Sequence, residues 1–447
     1  MAKFSLRIRT LAAVSAVLMV YAGNASALGL VEAYQAALTN DSVFQAATQE
    51  YLAGQENRIL GRSLLLPNVA ANYANSKNRA DVEAVNILGN KSLTHPEYNS
   101  RQASVQLRQA LFSMDSWARY KQGLAQSDYA TAVFESRRQE LILRVAAAYT
   151  DALFATEQLR LAGAQRDMYA EQQKVNDQLF EKGEGTKTDM LETQSRMDLA
   201  EAQVLEAQDN VQTANATLSA MVGQDVKGLD DLNPTFRISQ IPLGSLDDWK
   251  AGALADSPDI QAQRYAVETA HQEVNKAKAG HAPRLDFIAA YSKNKANTVD
   301  TYNQDSTVRS IGIQLNVPLY SGGQVSSATR QAVASQEKAK ADLQSTTDKV
   351  LIELRKQYAS VLSSAAKIRA LEKAVSSGEL LIQATEQSIK GGVRINLDLL
   401  NAQQQLYLSK RDLAQARYGY LISTLRLKSA AGKLDDDSLR AMATYFR

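Results

Sequence analysis

The stretch KGGVRINLDLLNAQQQLYLSKRDLAQARYGYLISTLRLKSA, residues 390–430, decides the fold of this chain. After a two-glycine turn it contains no proline, and small or apolar residues recur at alternating three- and four-residue steps. That spacing predicts a coiled-coil helix, because it places the whole set on one face. The set is Leu399, Ala402, Leu406, Ser409, Leu413, Ala416, Tyr420, Ser423, Leu427 and Ala430.

The same pattern occurs a second time, 209 positions earlier, after the turn KGEGTKTDMLETQ of residues 182–194. Other segments recur as well: Leu111-Phe112-Ser113 matches Leu319-Tyr320-Ser321, and Pro67 matches Pro283. A repeat of roughly 200 residues is too long for a solenoid unit. The sequence therefore predicts one structural half made twice.

The first 27 residues have the composition of a secretory signal peptide. Lys3, Arg7 and Arg9 precede an apolar run at 11–22, and Ala25-Ser26-Ala27 fits a cleavage site. A retained anchor is the alternative, but the apolar run is short for one. Loss of the three basic residues changes the net charge from +2 to −1, which gives no electrostatic reason to expect nucleic acid as a partner.

The chain contains no cysteine. This excludes disulfides and thiolate chemistry, and it also excludes a lipid-modified cysteine as a membrane anchor. After residue 27, no apolar run approaches the roughly 20 residues that a helix needs to cross a bilayer. Entry into a membrane would therefore have to use strands.

Each half contains two segments in which apolar and polar residues alternate, most clearly at 285–292 and 311–317. Alternating segments of about nine to eleven residues are typical of membrane barrel strands, and a soluble hairpin is the alternative. Four strands cannot close a barrel, which needs about eight, and open edges are not tolerated in lipid. Several copies must then share one barrel. Three copies would supply about twelve strands, an even number, while two or four remain open.

The predicted fold class is mostly α, with a long coiled-coil α-barrel and four strands per chain contributed to a membrane β-barrel. A signal peptide is predicted at 1–27, a linker at 223–247 and a C-terminal tail at 433–447. The first repeat is predicted at 28–222, with a strand hairpin at about 68–111 and coiled-coil helices at about 113–221. The second repeat is predicted at 248–432, with a strand hairpin at about 284–318 and coiled-coil helices at about 324–431.

The sequence gives no support for catalysis. His95, His271 and His281 fall in a loop, a helix and a turn, without a metal-binding motif. Gly322-Gly323 lacks the Lys-Ser/Thr of a phosphate-binding loop. We expect no catalytic residue, no cofactor and no metal, and we do not expect an enzyme.

With its double repeat, this chain resembles the TolC-type outer-membrane channel proteins over essentially all of its length after the signal. The most specific residues are Gly392-Val393-Arg394 with Asp398, the runs QARYGYLI at 415–422 and LKSAAG at 427–432, and LYSGGQ at 319–324. The resemblance implies a homotrimer in the outer membrane of a Gram-negative bacterium, with its helical part in the periplasm. It also implies two partners, a periplasmic adaptor protein and an inner-membrane ABC or other export transporter.

The resemblance further implies a closed entrance at the helix tips. Arg394 matches the gate arginine, Asp189 matches its partner aspartate, and Asp398 matches the acidic ring at the narrowest point. Two positions depart from the family pattern: Ile389 replaces the gate tyrosine, and Asn401 replaces the second acidic ring. A tyrosine latch is therefore impossible, and a trimer would carry three pore carboxylates instead of six.

Each tip residue also has a purely structural interpretation. Asp189 and Asp398 could be first-turn acids that complement the helix dipole, or cap-like residues, and Arg394 could be a solvated tip residue. Four glycines are expected in the tight turns with positive φ, at exposed tips where an adaptor could dock: Gly183, Gly185, Gly391 and Gly392.

The function predicted from these features is passive export through a duct, with substrates delivered by partner proteins. The alternative is a soluble periplasmic coiled-coil adaptor or structural protein, which would not need duplicated lipid-facing strands. Protein cargo and small-molecule cargo both remain open, although the missing lipid-attachment cysteine favours the secretion-type or TolC-like members of the family, because many efflux-dedicated members carry one.

Overall fold

The computed structural model describes residues 27–85, 89–233, 236, 238, 243–296 and 304–447. Nearly all of the predicted signal peptide (1–26), part of the predicted linker and the loop at 297–303 lie outside the described residues.

The chain consists of two halves of the same design, each with short helices, a strand hairpin and two long antiparallel helices. The first half contains α1 (Leu30–Asn40), α2 (Ser42–Ser63), β1 (Asn68–Arg79), β2 (Val82–Val85), β3 (Lys91–Thr94), β4 (Glu97–Ser113), α3 (Met114–Glu181) and α4 (Lys187–Val222). The second contains α5 (Leu246–Asp256), α6 (Pro258–Lys278), β5 (Arg284–Ala296), β6 (Gln304–Asn316), α7 (Gln324–Lys390) and α8 (Asn396–Ala430), followed by α9 (Asp436–Ala443). The predicted duplication is confirmed.

The long helices form the greater part of the chain. α3 has 68 residues and α7 has 67, so each extends about 100 Å at about 1.5 Å per residue. α3 packs against both α4 and α8, and α8 packs against α7, which gives the lateral order α4–α3–α8–α7. Nearer the strands, α2 and α6 replace α4 and α8 beside α3 and α7. Leu413 and Leu427 of the predicted seam are buried, as the heptad spacing requires.

The four long strands form one antiparallel sheet in the order β1-β4-β5-β6. The two predicted hairpins are therefore joined side by side through β4 and β5, a pairing that the sequence did not reveal. The short strands β2 and β3 form a second, unpredicted hairpin inside the first polar region. Within the described part of the chain, β1 and β6 each pair on one side only, so the sheet has two open edges.

One face of this sheet is apolar. Directly paired residues share a face, and the register aligns Val69 with Leu107, Leu107 with Ala289, and Ala289 with Ile311. Neighbouring rows on the same face contain Phe287 with Ile313 and Leu285 with Leu315. Ile311 is 80% exposed and Ile313 is 67% exposed. An apolar row with this exposure lacks a covering layer in the single chain.

Aromatic residues mark the two ends of the apolar face. Tyr73 and Tyr291 lie toward the strand ends that are far from the helices, whereas Phe112 and Tyr320 lie where strands meet helices. Phe112 is aligned with Leu285, six residues from Tyr291, which corresponds to about 20 Å along the strand. This matches the height of the apolar band between the aromatic girdles of membrane barrels, about 25 Å.

The opposite face is polar, and its charges are concentrated next to the helices. Asp286 accepts hydrogen bonds from Arg108 at 2.6 Å and from Arg284 at 3.0 Å, and only 2% of its side chain is exposed. The remaining residues of this face are mainly Asn, Ser, Gln and Ala. The two faces of the sheet therefore differ in chemistry, as the alternation predicted.

The N-terminal segment, the linker and the C-terminal tail pack together against the middle of α3. The Tyr149 hydroxyl donates to the carbonyl oxygens of Leu28 and Asp230, and its ring meets Phe446 edge-on at 5.5 Å. Phe446 in turn bridges to Leu232. These contacts join distant parts of the sequence at one level of the helical bundle.

The helical segment before the first strand is divided at Asp41 into α1 and α2. Its carboxylate caps α2 by accepting from the Phe44 amide, and it forms a bidentate ion pair with Arg144 of α3. Burial acts to raise the pKa of Asp41, but the bonds from Arg144 and Phe44 hold it below its usual value.

Among the described residues, no helix combines the length and the apolar content needed to cross a membrane.

Candidate functional site at the helix tips

Both long hairpins turn on glycines at the end that is far from the strands. Gly183 (φ 75°) and Gly392 (φ 71°) adopt the left-handed conformation, as predicted. For Gly391 the prediction was wrong, since its φ is −83° and it continues the last turn of α7. Gly185 is also absent from the described positive-φ glycines. It is needed for close approach instead, because a Cβ there would lie 3.0 Å from the Phe180 nitrogen.

Asp189 and Asp398 occupy the same position, third in the helix, in the two halves. Asp189 completes a capping box, in which its carboxylate accepts from the Thr186 hydroxyl at 2.6 Å and from the Thr186 amide at 3.3 Å. The equivalent residue before α8 is Ile395, which offers no polar side chain. Within the described part of the chain, the Asp398 carboxylate has no hydrogen-bond partner and is only partly buried. Of the two carboxylates, only Asp398 is left unbound inside its own subunit.

Arg394 lies on the exposed turn between α7 and α8. Its guanidinium forms no ion pair within the described residues, although its backbone amide donates to the Ser388 carbonyl. The structure does not bring Arg394 to Asp189 inside one subunit. A contact between them would have to join neighbouring subunits, and it remains a prediction.

Asn401, predicted at the pore constriction, accepts a hydrogen bond from Arg196 of α4 at 3.0 Å. This contact connects α8 of the second half with α4 of the first. The side-chain oxygen of Asn401 therefore takes part in a contact between the two hairpins of one subunit. Its place at a constriction remains a prediction.

A partly buried polar layer lies where α3, α4 and α8 converge near the tips. Asn396 donates to the Thr193 hydroxyl at 3.2 Å and accepts from Gln172 at 2.9 Å. Asn176 also donates to the Thr193 hydroxyl, at 2.7 Å, and Thr193 is fully buried. We call Gln172, Asn176, Thr193 and Asn396 the tip polar layer.

The next layer toward the strands is apolar and contains Tyr169, Ala200 and Leu400. Burial raises the pKa of Tyr169, so its hydroxyl remains protonated and donates to Gln404 at 3.4 Å. Gln165 also donates to Gln404, at 2.6 Å. Polar layers buried in helix interfaces fix the register but contribute less cohesion than apolar layers. The two hairpins are therefore aligned at this end without being strongly fused.

Arg196 and the tip polar layer were not predicted from the sequence. Thr193 was included in the heptad seam, where a lone polar residue is a recognisable register signal. The capping box of Asp189 was also readable, since Thr186 precedes it by three residues. The partners of Asn396 could not be predicted from the sequence, because they lie more than 200 residues away in the chain.

Across the described ranges, there is no cluster of three or more side chains that could hold a metal ion. The tip geometry offers hydrogen-bonding groups, the Asp398 carboxylate and the exposed Arg394.

Comparisons with known proteins cover both halves of the chain. The family model described as outer membrane efflux protein matches residues 33–224 and 251–433, one match for each half. The alkaline protease secretion protein AprF of Pseudomonas aeruginosa is 42% identical over 433 residues, which cover 96% of this chain and 90% of AprF. The proteases secretion protein PrtF of Dickeya chrysanthemi is 36% identical over 96% of this chain and 94% of its own.

A solved structure shares the fold. The outer membrane protein VceC from Vibrio cholerae aligns with a TM-score of 0.77 at 19% identity, covering 90% of this chain and 96% of that one. An alignment of this extent requires the same arrangement of strands and long helices in both chains.

Proposed function

This chain belongs to the outer membrane efflux protein family, and we propose that three copies of it form the outer-membrane exit duct of a tripartite export system. The observation that carries the proposal is the four-stranded sheet, with its exposed apolar face and two open edges, at one end of two helices, α3 and α7, that are each about 100 Å long. In lipid such edges must be paired, so copies of the chain would join β1 of one to β6 of the next.

The helical part supports the same ring. α4 and α7 are the outer members of the lateral order, and both carry leucines that are exposed to solvent in a single chain. These are Leu191, Leu199 and Leu205 on α4, and Leu362, Leu380 and Leu381 on α7. A head-to-tail interface, repeated around an axis, closes into a ring and covers both edges at once. In the alternative, a soluble adaptor, the apolar face of the sheet would remain exposed to water.

The tips provide a surface for the adaptor. Val393 is 82% exposed and Ile395 is 62% exposed in the turn of the second hairpin, at the end of the tube that is far from the membrane. Exposed apolar residues on a rigid turn are typical of docking surfaces. A periplasmic adaptor would contact this turn and connect the duct to an inner-membrane transporter.

We further propose protein cargo of the protease class, because the names of AprF and PrtF both refer to protease secretion. The test is to express this chain in a Pseudomonas aeruginosa strain that lacks AprF and to measure extracellular alkaline protease activity. Restored secretion is the expected result. Outer-membrane trimers without restored secretion would contradict the cargo assignment and leave the duct intact.

The duct itself is tested by fractionation and electrophoresis. We expect the protein in the outer-membrane fraction, as a trimer that dissociates in detergent only on heating. A protein that purifies as a single copy in detergent-free buffer would contradict the proposal.

We place Asp398 in the pore, where three symmetry-related carboxylates would focus a negative potential and favour cations. Asp398→Asn keeps the shape of the side chain and removes the charge. We expect the cation-over-anion permeability ratio in planar bilayers to fall about five- to tenfold, because the variant loses about 1 kcal/mol of attraction between the carboxylates and a passing cation. Asp412→Asn, which removes the same charge farther along α8, is the control. Equal selectivity in the parent and Asp398→Asn would show that Asp398 lies away from the ion path.

A further inference from the structure

The apolar face of the sheet changes to a basic face at the level of the tyrosines. From the row of Tyr291 outward, toward the strand ends that are far from the helices, the same face contains six basic and two acidic residues within the described strands. The basic residues are Lys77, Arg79, Arg101, Lys293, Lys295 and Arg309, and the acidic ones are Glu97 and Asp305.

The two acidic residues pair with only part of this set. Glu97 lies 3.8 Å from both Lys77 and Arg79, and Asp305 lies 3.7 Å from Lys295. Within the described part of the chain, Arg101, Lys293 and Arg309 have no acidic partner. We call these three residues the rim cations.

The rim cations lie on three neighbouring strands. Lys293 of β5 is paired with Ala103, two residues from Arg101 on β4, and Tyr291 is paired with Arg309 on β6. Diagonal neighbours of this kind lie about 7–8 Å apart, a spacing at which two side chains can contact one phosphate group. All three side chains are exposed, and the Arg309 guanidinium lies over the Tyr291 ring.

The polar face at the same level carries no charge among the described strand residues. There the register aligns Asn72 with Ser104, Ser104 with Ser292, and Ser292 with Val308. At this level the positive charge is thus confined to one face of the sheet, the face that is apolar nearer the helices. A general need for solubility at the strand ends would charge both faces, so the asymmetry points to a ligand on the outward side.

We propose that the rim cations bind the phosphate groups of lipid headgroups in the outer leaflet of the membrane. The inference rests on the membrane placement proposed above. Tyrosine girdles lie at the boundary between hydrocarbon and headgroups, so long basic side chains level with the tyrosines, such as Lys293 and Arg309, or one row beyond them, such as Arg101, reach the headgroups. A phosphate-bearing glycolipid with two phosphates, such as lipid A, would engage the three cations together by charge-assisted hydrogen bonds.

The test compares the binding of lipid A, and of lipid A with its phosphates removed, to the solubilised trimer, using a fluorescent lipid. The variant is Arg101→Gln/Lys293→Gln/Arg309→Gln. We expect roughly 100-fold weaker binding of lipid A, about fivefold for each cation near an anionic surface, and no change for the dephosphorylated lipid. Added salt should weaken binding to the parent far more than to the variant.

The control variant is Lys182→Gln/Lys187→Gln/Lys390→Gln, which removes the same charge at the helix tips and should bind lipid A like the parent. Equal binding of both lipids to the parent, or unchanged binding to the rim variant, would overturn the inference. If the triple variant fails to assemble, Lys293→Gln alone should bind about fivefold more weakly. Absence of a membrane trimer from the parent protein would instead refute the duct.

Discussion

Replacing Ile311 by arginine should abolish assembly of the outer-membrane trimer. Ile311 lies within the apolar band on β6, next to Ala289, and is 80% exposed in the single chain. An arginine on the lipid face near the middle of a membrane barrel costs about 2–4 kcal/mol, and a trimer would contain three, or about 6–12 kcal/mol. That loss is comparable to the whole stability of a typical domain. The measurement is the amount of heat-dissociable trimer in outer-membrane fractions.

Ser310→Arg is the matched control. Ser310 is the adjacent residue, and its side chain lies on the polar face of the same strand. An arginine there would face water inside the barrel, so trimer levels should remain close to those of the parent. If Ser310→Arg removed the trimer while Ile311→Arg did not, the faces of the sheet would be assigned the wrong way round.

Disrupting the tip polar layer should make the duct open more readily. Asn396 has two hydrogen bonds in this layer, to Gln172 and to Thr193, and both join the second hairpin to the first. At about 1 kcal/mol each, their loss in Asn396→Ala removes about 2 kcal/mol per subunit from the contact between hairpins. If separation of the hairpins widens the pore, the ratio of open to closed states should rise about 30-fold or more. Single-channel recording in planar bilayers measures this ratio.

Thr193→Val provides the second arm of a double-mutant cycle. Valine keeps the shape of the buried threonine but removes the hydroxyl that binds both Asn396 and Asn176. The double variant should open only slightly more than either single variant, because both changes break the same contacts. Gln405→Ala, an exposed change on α8, should open like the parent. Additive effects of the two changes would mean that the layer does not act as one latch.

A large part of this fold was readable from local patterns. The heptad seams fixed the long helices to within a few residues, since a small or apolar stripe over many turns has few alternatives to a coiled coil. Alternation located the strands and separated their apolar and polar faces. The repeat showed that both patterns occur twice, and the family resemblance then provided the expected function. The short hairpin β2–β3 was missed, because each of its strands has only four residues.

The candidate site was readable only in part. The sequence located the tips and the turn glycines, because turn signals involve residues a few positions apart, and the family resemblance singled out the two carboxylates. One local difference decides which carboxylate is left unbound. Thr186 precedes α4 and binds Asp189, whereas the apolar Ile395 precedes α8 and leaves Asp398 without this partner, as the capping geometry shows.

The sequence by itself determined the duplication, the helical seams, the alternating strands and the position of the tips, since each of these is a periodic or local property of the chain. Only the tertiary structure decided that β4 pairs with β5, that Arg196 meets Asn401, and that Asn396 joins Thr193 and Gln172 in the tip polar layer. These contacts connect the two halves across roughly 180 to 225 residues, and they depend on how the helices are rotated and staggered against each other. No local pattern encodes that rotation, because many pairs of polar residues satisfy the same heptad spacing and packing selects among them.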